Sequence, residues 1–286
     1  MSTSNFGGMR VLSLESRRSE EMARLIASAG GIPTVAPSMR EVPLESNKEA
    51  LAFAGSLLAG GFDMVIFLTG VGTRALARVI VSSYPLEKFV DALRRVVVVA
   101  RGPKPVAALR ELEVPVTIAV PEPNTWRELL RALDEKGVIT ASSGRRVAVQ
   151  EYGVSNPELL AGLAERGAHV TRVPVYQWAL PEDLTPLRNA IKGTANGEFD
   201  VILFTTSVQV THLLEVAGEM NLQDAVRSAL SRTVVGSIGP TTSEELRRHN
   251  LPIDLEPSHP KMGYLVREVA ERAASLLKLK RSQESV

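Results

Sequence analysis

The chain has 286 residues, no cysteine and a formal net charge of +1. This excludes disulfide frameworks, thiol catalysis and cysteine-ligated metals, and it leaves no global field to recruit nucleic acid or an anionic membrane. At 44% apolar and 23% charged residues the composition is that of a globular protein, long enough for one large domain or two of ordinary size. The longest apolar runs, such as "MVIFL" and "RVVVVA", are strand-sized, so no membrane span is expected. The opening "MSTSNFGGMRVLSLES" has no basic segment followed by an apolar core, so no signal peptide is expected and the expected location is the cytoplasm.

In chain order, the first apolar run is a strand at Val11–Leu14, followed by an amphipathic helical pattern. The next segment, "GGIPTVAPSMREVPLES", is Pro-rich and β-branched and has no helical period; it reads as an extended connector. Strands follow at Met64–Leu68, in "FDMVIFLTGVGTRAL", and at Val96–Ala100, before "RGPKP". Then the order begins again. "RRVAVQEYGVSNPELLAGLAERGAHVTRVP" resembles "MRVLSLESRRSEEMARLIASAGGIPTVAP", and "GAHVTRVPVYQWALPEDLTP" takes the place of the first connector. "FDVILFTTSVQVTHL" aligns without a gap on the first FD segment, and "RTVVGSIGPTTSEELRRHNLPI" aligns on the RGPKP region. Phe67 falls on Phe204 and Gly102 on Gly239, both at an offset of 137 residues. A period this long signals two domains, whereas solenoid repeats run to about 20–50 residues.

Each copy reads strand, helix, extended segment, helix, strand, helix, strand, helix. Continuous apolar strands joined by helices suit a parallel sheet buried on both faces and right-handed crossovers. The predicted fold class is therefore α/β, with two doubly wound parallel-sheet domains. The two Pro-rich segments would join them as a two-stranded β connector. In such sheets ligands lie beyond the carboxyl ends of the strands. Those ends carry "TGVGT", "ARGPKP", "TTSVQ" and "SIGPTTS".

Two readings stand beside each candidate there. Gly70-x-Gly72-x-x-Ala75 has the form of a dinucleotide fingerprint, but the next strand ends in Arg101 rather than an acid, and the second copy has Ser207-x-Gln209. The alternative is a tight strand-to-helix turn capped by Thr69 or Thr73. In "GPTTSEEL", the hydroxyls after Gly239 form either a routine helix start or, with free N–H groups, an anion site. Three hydroxyl turns share the presumed ligand edge: Thr69 to Thr73; Thr205, Thr206 and Ser207; and Thr241, Thr242 and Ser243. The four histidines are scattered with no metal-ligand spacing, and Glu151 stands out as a carboxylate at a strand end. Tyr176, in "VPVYQW", is either a packed connector aromatic or a functional phenol.

The segments "FTTSVQVTHLLEVAG", "VGSIGPTTSEELRRHNLPIDLEPSHPKMGYLVREV" and "VTRVPVYQW" together resemble the uroporphyrinogen-III synthase family, most strongly from Val147 onward. The resemblance implies two α/β domains exchanged between the sequence halves: residues 1–36 with 177–286, and 39–171, with connectors near 32–42 and 170–178. It also implies a monomer without cofactor or metal that binds neither nucleic acid nor membrane. The implied substrate is a polycarboxylate, the linear tetrapyrrole hydroxymethylbilane. It is closed to uroporphyrinogen III with loss of water and inversion of the last pyrrole ring through a spiro intermediate. Tyr176 is then the group that assists the leaving hydroxyl. Thr69, Gly70, Gly72, Thr73, Tyr152, Thr205, Thr206, Ser207, Gly239, Thr241 and Thr242 are the expected substrate-binding set. The first half departs from the family pattern: Lys104-Pro105 replaces a usual Thr-Ala, and Arg17 or Arg18 in "LESRR" must stand for an arginine after the first strand. Two other functions remain open at this point: a two-lobed binding or regulatory module of the same fold, and a nucleotide-dependent enzyme using Gly70 and Gly72.

Overall fold

A computed structural model describes residues 5–44, 47–140, 144–151, 153 and 155–282. The chain divides into two compact units, Met1–Arg40 with Ala179–Val286, and Glu41–Trp178. It opens in unit 1 with β1 (Arg10–Ser13), α1 (Ser19–Ser28) and β2 (Ile32–Val35), and leaves through β3 (Arg40–Pro43). Unit 2 follows: α2 (Lys48–Leu58), β4 (Met64–Phe67), α3 (Gly70–Ile80), α4 (Leu86–Leu93), β5 (Val97–Ala100), α5 (Pro103–Glu111), β6 (Ile118–Ala119), α6 (Trp126–Glu135), β7 (Arg146–Gln150), α7 (Pro157–Glu165) and β8 (His169–Val173). The chain passes through β9 (Tyr176–Ala179) and completes unit 1 with α8 (Thr185–Ala195), β10 (Val201–Phe204), α9 (Ser207–Glu219), α10 (Gln223–Arg232), β11 (Val234–Ser237), α11 (Pro240–Arg248) and α12 (Met262–Ser282). Among the described residues no helix is long and apolar enough to cross a membrane.

Both main sheets are parallel. The strand order is β11-β10-β1-β2 in unit 1 and β6-β5-β4-β7-β8 in unit 2. The two orders are the same once the repeat offset is applied, with a parallel bridge from Gly236 to Leu255 standing where β5 meets β6. Each sheet therefore takes its two edge-ward strands (β1 and β2, or β7 and β8) from one sequence copy and the rest from the other. The continuous apolar strands feed both faces of a sheet by alternation. In unit 1, Leu12, Leu14, Ile202 and Phe204 pack with α8, α9 and α10, while Val11, Val201 and Leu203 pack with α1 and α12. In unit 2, Met64, Ile66, Val147 and Val149 pack against α6 and α7. On α2 and α4, Phe53 and Phe89 meet edge-on, 6.4 Å between centroids.

The Pro-rich segments are only partly connectors. Ile32–Val35 pairs with β1 and His169–Val173 with β7, as edge strands of the main sheets. Only β3 and β9 form the separate two-stranded sheet. The reason these edge strands read as connectors is physical. Each has one strand neighbour and a largely exposed face, so neither carries the continuous apolar run that marks the central strands.

In each sheet the winding reverses between two adjacent strands, β1 and β10 in unit 1, β4 and β7 in unit 2. The repeated "FD" pins this junction at its amino end. Asp63 accepts from the Arg146 main-chain N–H at 2.9 Å and from its guanidinium at 2.8 Å. Asp200 accepts from Arg10 N at 2.9 Å and from the Arg281 guanidinium at 2.8 Å. The Arg146 hydrogen bonds hold the Asp63 carboxyl down from its ordinary 3.8 to about 2. A carboxyl whose pKa is lowered by folding stabilises above its unfolded value and loses that contribution as pH falls through its folded one. Asp63→Ala is expected to cost about 1 kcal/mol at neutral pH, since the pair is partly solvated. In urea denaturation the gap to the parent protein should narrow as pH falls from 3.8 toward about 2.

Candidate functional site

At the carboxyl end of the unit 1 junction, β1 runs into Glu15, which is buried (7% exposed). A carboxylate so placed requires donors. Glu15 accepts from the main-chain N–H groups of Arg17 and Arg18, both at 3.2 Å, and from Thr205 Oγ1 at 2.5 Å. Gln209, fully buried in the first turn of α9, completes the cluster. Its Oε1 accepts from Thr205 N at 2.7 Å and its Nε2 donates to Thr205 Oγ1 at 2.8 Å. Thr205 is thus committed internally at both its N–H and its hydroxyl.

The next residues are not. Thr206 has the extended backbone of an N-cap, φ −160° and ψ 153°, but no side chain caps α9. Thr206 and Ser207 are half-buried, and among the described residues none bonds their hydroxyls. The neighbouring α11 also starts without a side-chain cap, on Gly239 with Pro240 at its first position. Thr241 is exposed and Thr242 buried, and no described residue bonds either hydroxyl. Ser243, by contrast, bonds the Glu256 carboxylate at 2.5 Å and the Ser237 hydroxyl at 2.8 Å. Proline at the first helical position removes one orphan N–H and leaves those that follow it pointing outward. The carboxyl edge of unit 1 therefore carries two uncapped helix N-termini on adjacent strands, each with hydroxyls that no described residue bonds. This arrangement favours an anion.

The "EPSHPK" loop lies against this edge: a Cβ on Gly239 would stand 3.3 Å from Pro260. Glu268 anchors the loop by accepting from Ser258 N at 2.9 Å and Ser258 Oγ at 2.5 Å, and these bonds lower its carboxyl pKa. His259 and Lys261 are left exposed, with the His259 ring 4.7 Å from that of Tyr264.

Unit 2 uses the same turn differently. Thr69 Oγ1 accepts from Gly72 N at 3.0 Å, capping α3, and Thr73 Oγ1 donates to the Thr69 carbonyl at 2.7 Å. Gly70 and Gly72 are packing glycines. A Cβ on Gly70 would stand 2.5 Å from the Lys104 carbonyl oxygen, and one on Gly72 would stand 2.1 Å from Gln150 Nε2. The close backbone approach that a dinucleotide fingerprint reserves for a pyrophosphate is here filled by the protein itself. Gln150 is fully buried and its Nε2 donates to the Glu151 carbonyl. Glu151 accepts from Ser155 at 2.7 Å and from Arg172 at 3.0 Å. Tyr152 lies outside the described residues. Tyr176 opens β9, 3% exposed, with its ring edge-on to Trp178 at 5.6 Å.

Sequence reasoning singled out Glu151 but missed Glu15 and Gln209. Glu15 is the repeat counterpart of Glu151 at an offset one residue shorter than that of the later strands. That shift was the available signal.

Fold and site define a class: a duplicated parallel α/β protein with exchanged halves and hydroxyl-bearing turns at its strand ends. The family model described as uroporphyrinogen-III synthase HemD matches residues 20–267, and the chain belongs to the uroporphyrinogen-III synthase family. It is 31% identical over 265 residues, 92% of this chain and 96% of the relative, to the Bacillus subtilis (strain 168) uncharacterized protein YjjA. It is 31% identical over 237 residues, 82% of this chain and 87% of the relative, to a Methanothermobacter thermautotrophicus protein provisionally named uroporphyrinogen-III synthase. A crystal structure of a mutant uroporphyrinogen III synthase from Thermus thermophilus superposes with a TM-score of 0.71 at 25% identity, over 94% of this chain and 99% of that one.

The two equivalent threonines should respond differently to valine. Thr69→Val removes a cap and is expected to lower stability by about 1 kcal/mol. Thr206→Val should change it by less than about 0.5 kcal/mol. Urea denaturation of both variants is the check; equal losses would contradict the assignment of the cap to Thr69 alone.

Proposed function

We propose that this protein is a uroporphyrinogen-III synthase, closing hydroxymethylbilane to uroporphyrinogen III with loss of water and inversion of the terminal pyrrole. The observation that carries the reading is the pair of uncapped helix N-termini, α9 and α11, with the hydroxyls of Thr206, Ser207, Thr241 and Thr242, which no described residue bonds. The substrate bears an acetate and a propionate on every ring, and a protein of net charge +1 must meet them with local donors. Main-chain N–H groups and hydroxyls at helix starts do so without burying cations. Lys261 beside α11 adds positive charge at the same edge. Thr69 and Thr73 support the reading less, because their groups are used within unit 2, and Gly70 and Gly72 serve packing.

The chemistry asks for little beyond binding. The hydroxymethyl oxygen leaves with a proton as water, and the pyrrole nitrogen lone pair stabilises the resulting cation. The substituted carbon of the last ring attacks to form a spiro centre; its original bond to the methylene of the preceding ring then breaks and leaves a cation there, and the free carbon of the last ring attacks that methylene and loses its proton. The protein must assist the departure, hold the ends together and keep water from capturing the cation. Tyr176 is the proposed donor to the departing hydroxyl. Because its ring is buried, the phenol must be uncovered for the substrate to reach it, as lid and hinge motions do in other enzymes. No cofactor has a part in this scheme, and the proposed active form is the monomer.

Incubation with hydroxymethylbilane and chromatographic separation of the isomers tests the proposal. The expected product is the type III isomer; type I alone at the spontaneous rate would reject it, and binding of product without turnover would assign the fold a regulatory role instead. Tyr176→Phe is expected to lower kcat by about 10²-fold with KM changed by less than about threefold. Unchanged turnover would remove Tyr176 from the chemistry.

A further inference from the structure

The two copies of the strand-to-helix turn dispose of one hydroxyl in opposite ways. Thr69 and Thr206 occupy equivalent N-cap positions with nearly the same backbone, φ −147° and ψ 150° against φ −160° and ψ 153°. Thr69 Oγ1 accepts from the N–H three residues on, Gly72. Thr206 Oγ1 accepts nothing from α9, and the N–H three residues on, that of Gln209, donates instead to the Thr206 carbonyl at 3.2 Å. The difference follows the residue at that third position, glycine in unit 2 and glutamine in unit 1.

The Gln209 side chain turns back on the residue before the cap. It takes Thr205 N with its oxygen and gives a proton to Thr205 Oγ1, whose own proton goes to Glu15. A fully buried amide bonded at both ends holds one rotamer, so the turn is clamped one residue early. Unit 2 also buries a glutamine at its junction, but that one comes from the strand. Gln150 stands where unit 1 has Leu14, and its amide fills the space that Gly72 leaves open. The amide has moved from strand to helix between the copies, and the cap hydroxyl has been released with it.

We propose that Gln209 is a positioning residue. By committing Thr205 and drawing its own N–H onto the Thr206 carbonyl, it leaves the Thr206 hydroxyl and the N–H groups of Ser207 and Val208 to bind one carboxylate of the substrate. This rests on the function proposed above and deepens it.

Gln209→Gly rebuilds the unit 2 turn, and Gln209→Met keeps the volume while removing the amide. Both are expected to raise KM for hydroxymethylbilane about tenfold with kcat changed by less than about twofold, the signature of lost uniform binding. Thr206→Val should raise KM similarly, and the combination with Gln209→Met should raise it no further than either alone. A merely structural Gln209 would lower the melting temperature and the active fraction, leave KM in place, and act independently of Thr206. An unchanged KM in Gln209→Met, or multiplying effects in the double variant, would overturn the proposal. Should the parent protein make no type III isomer, the functional reading fails by itself. A crystal structure of Gln209→Gly then decides the present point. Thr206 Oγ1 within hydrogen-bond distance of the residue 209 N–H is the expected result, and an unrotated Thr206 overturns it.

Discussion

The structure depends on one strand pair in each unit, β1 with β10 and β4 with β7, where the winding of the sheet reverses. These pairs join segments far apart in sequence. At their amino ends, Asp200 and Asp63 lock the register by accepting from the first main-chain N–H of the neighbouring strand. At their carboxyl ends, the chain leaves in opposite directions and opens the crevice in which parallel α/β proteins hold ligands. The repeated "FD" and the hydroxyl turns that follow it are thus two ends of one device. The first fixes which strands meet, and the second occupies the gap that the meeting leaves.

Duplication gave the protein two such junctions, and they have diverged in chemistry while keeping geometry. Unit 2 has closed its junction. Thr69 is consumed as a cap, Gly70 lies under the start of α5, and Gln150 fills the room above Gly72. Unit 1 keeps a buried glutamate, a clamped threonine and, next to it, a threonine whose hydroxyl no described residue of the unit bonds. A buried polar group must be paired, so each added amide or carboxylate dictates what its neighbours can still offer a ligand. That requirement, more than the count of hydroxyls, separates structural threonines from available ones.

A protein with almost no net charge can bind a polyanion because helix starts concentrate donors without concentrating charge. The cost of stripping water from a carboxylate is met by aligned N–H groups that need no reorganisation. Such donors are main-chain atoms, so the residues around them can vary as long as the turn keeps its shape. This fits a chain that shares its architecture with the Thermus protein over nearly its whole length at 25% identity.

Much of this was legible in the amino-acid sequence. The fold class followed from continuous apolar strands and the 137-residue repeat, since burial on both faces of a parallel sheet imposes that pattern locally. The turns at the strand ends were legible for the same reason. The sequence did not reveal that β2 and β8 are sheet edges, because a strand with one neighbour and a solvated face need not be apolar. It also could not say which hydroxyls are spent. Thr69 and Thr206 occupy equivalent places in the two copies, and only tertiary structure shows one capping its helix and the other not, with Gln209 and Glu15 both bonded to the neighbouring Thr205. Secondary structure is set by local periodicity, whereas the fate of a hydroxyl is set by whichever distant residue the fold brings within about 3 Å of it.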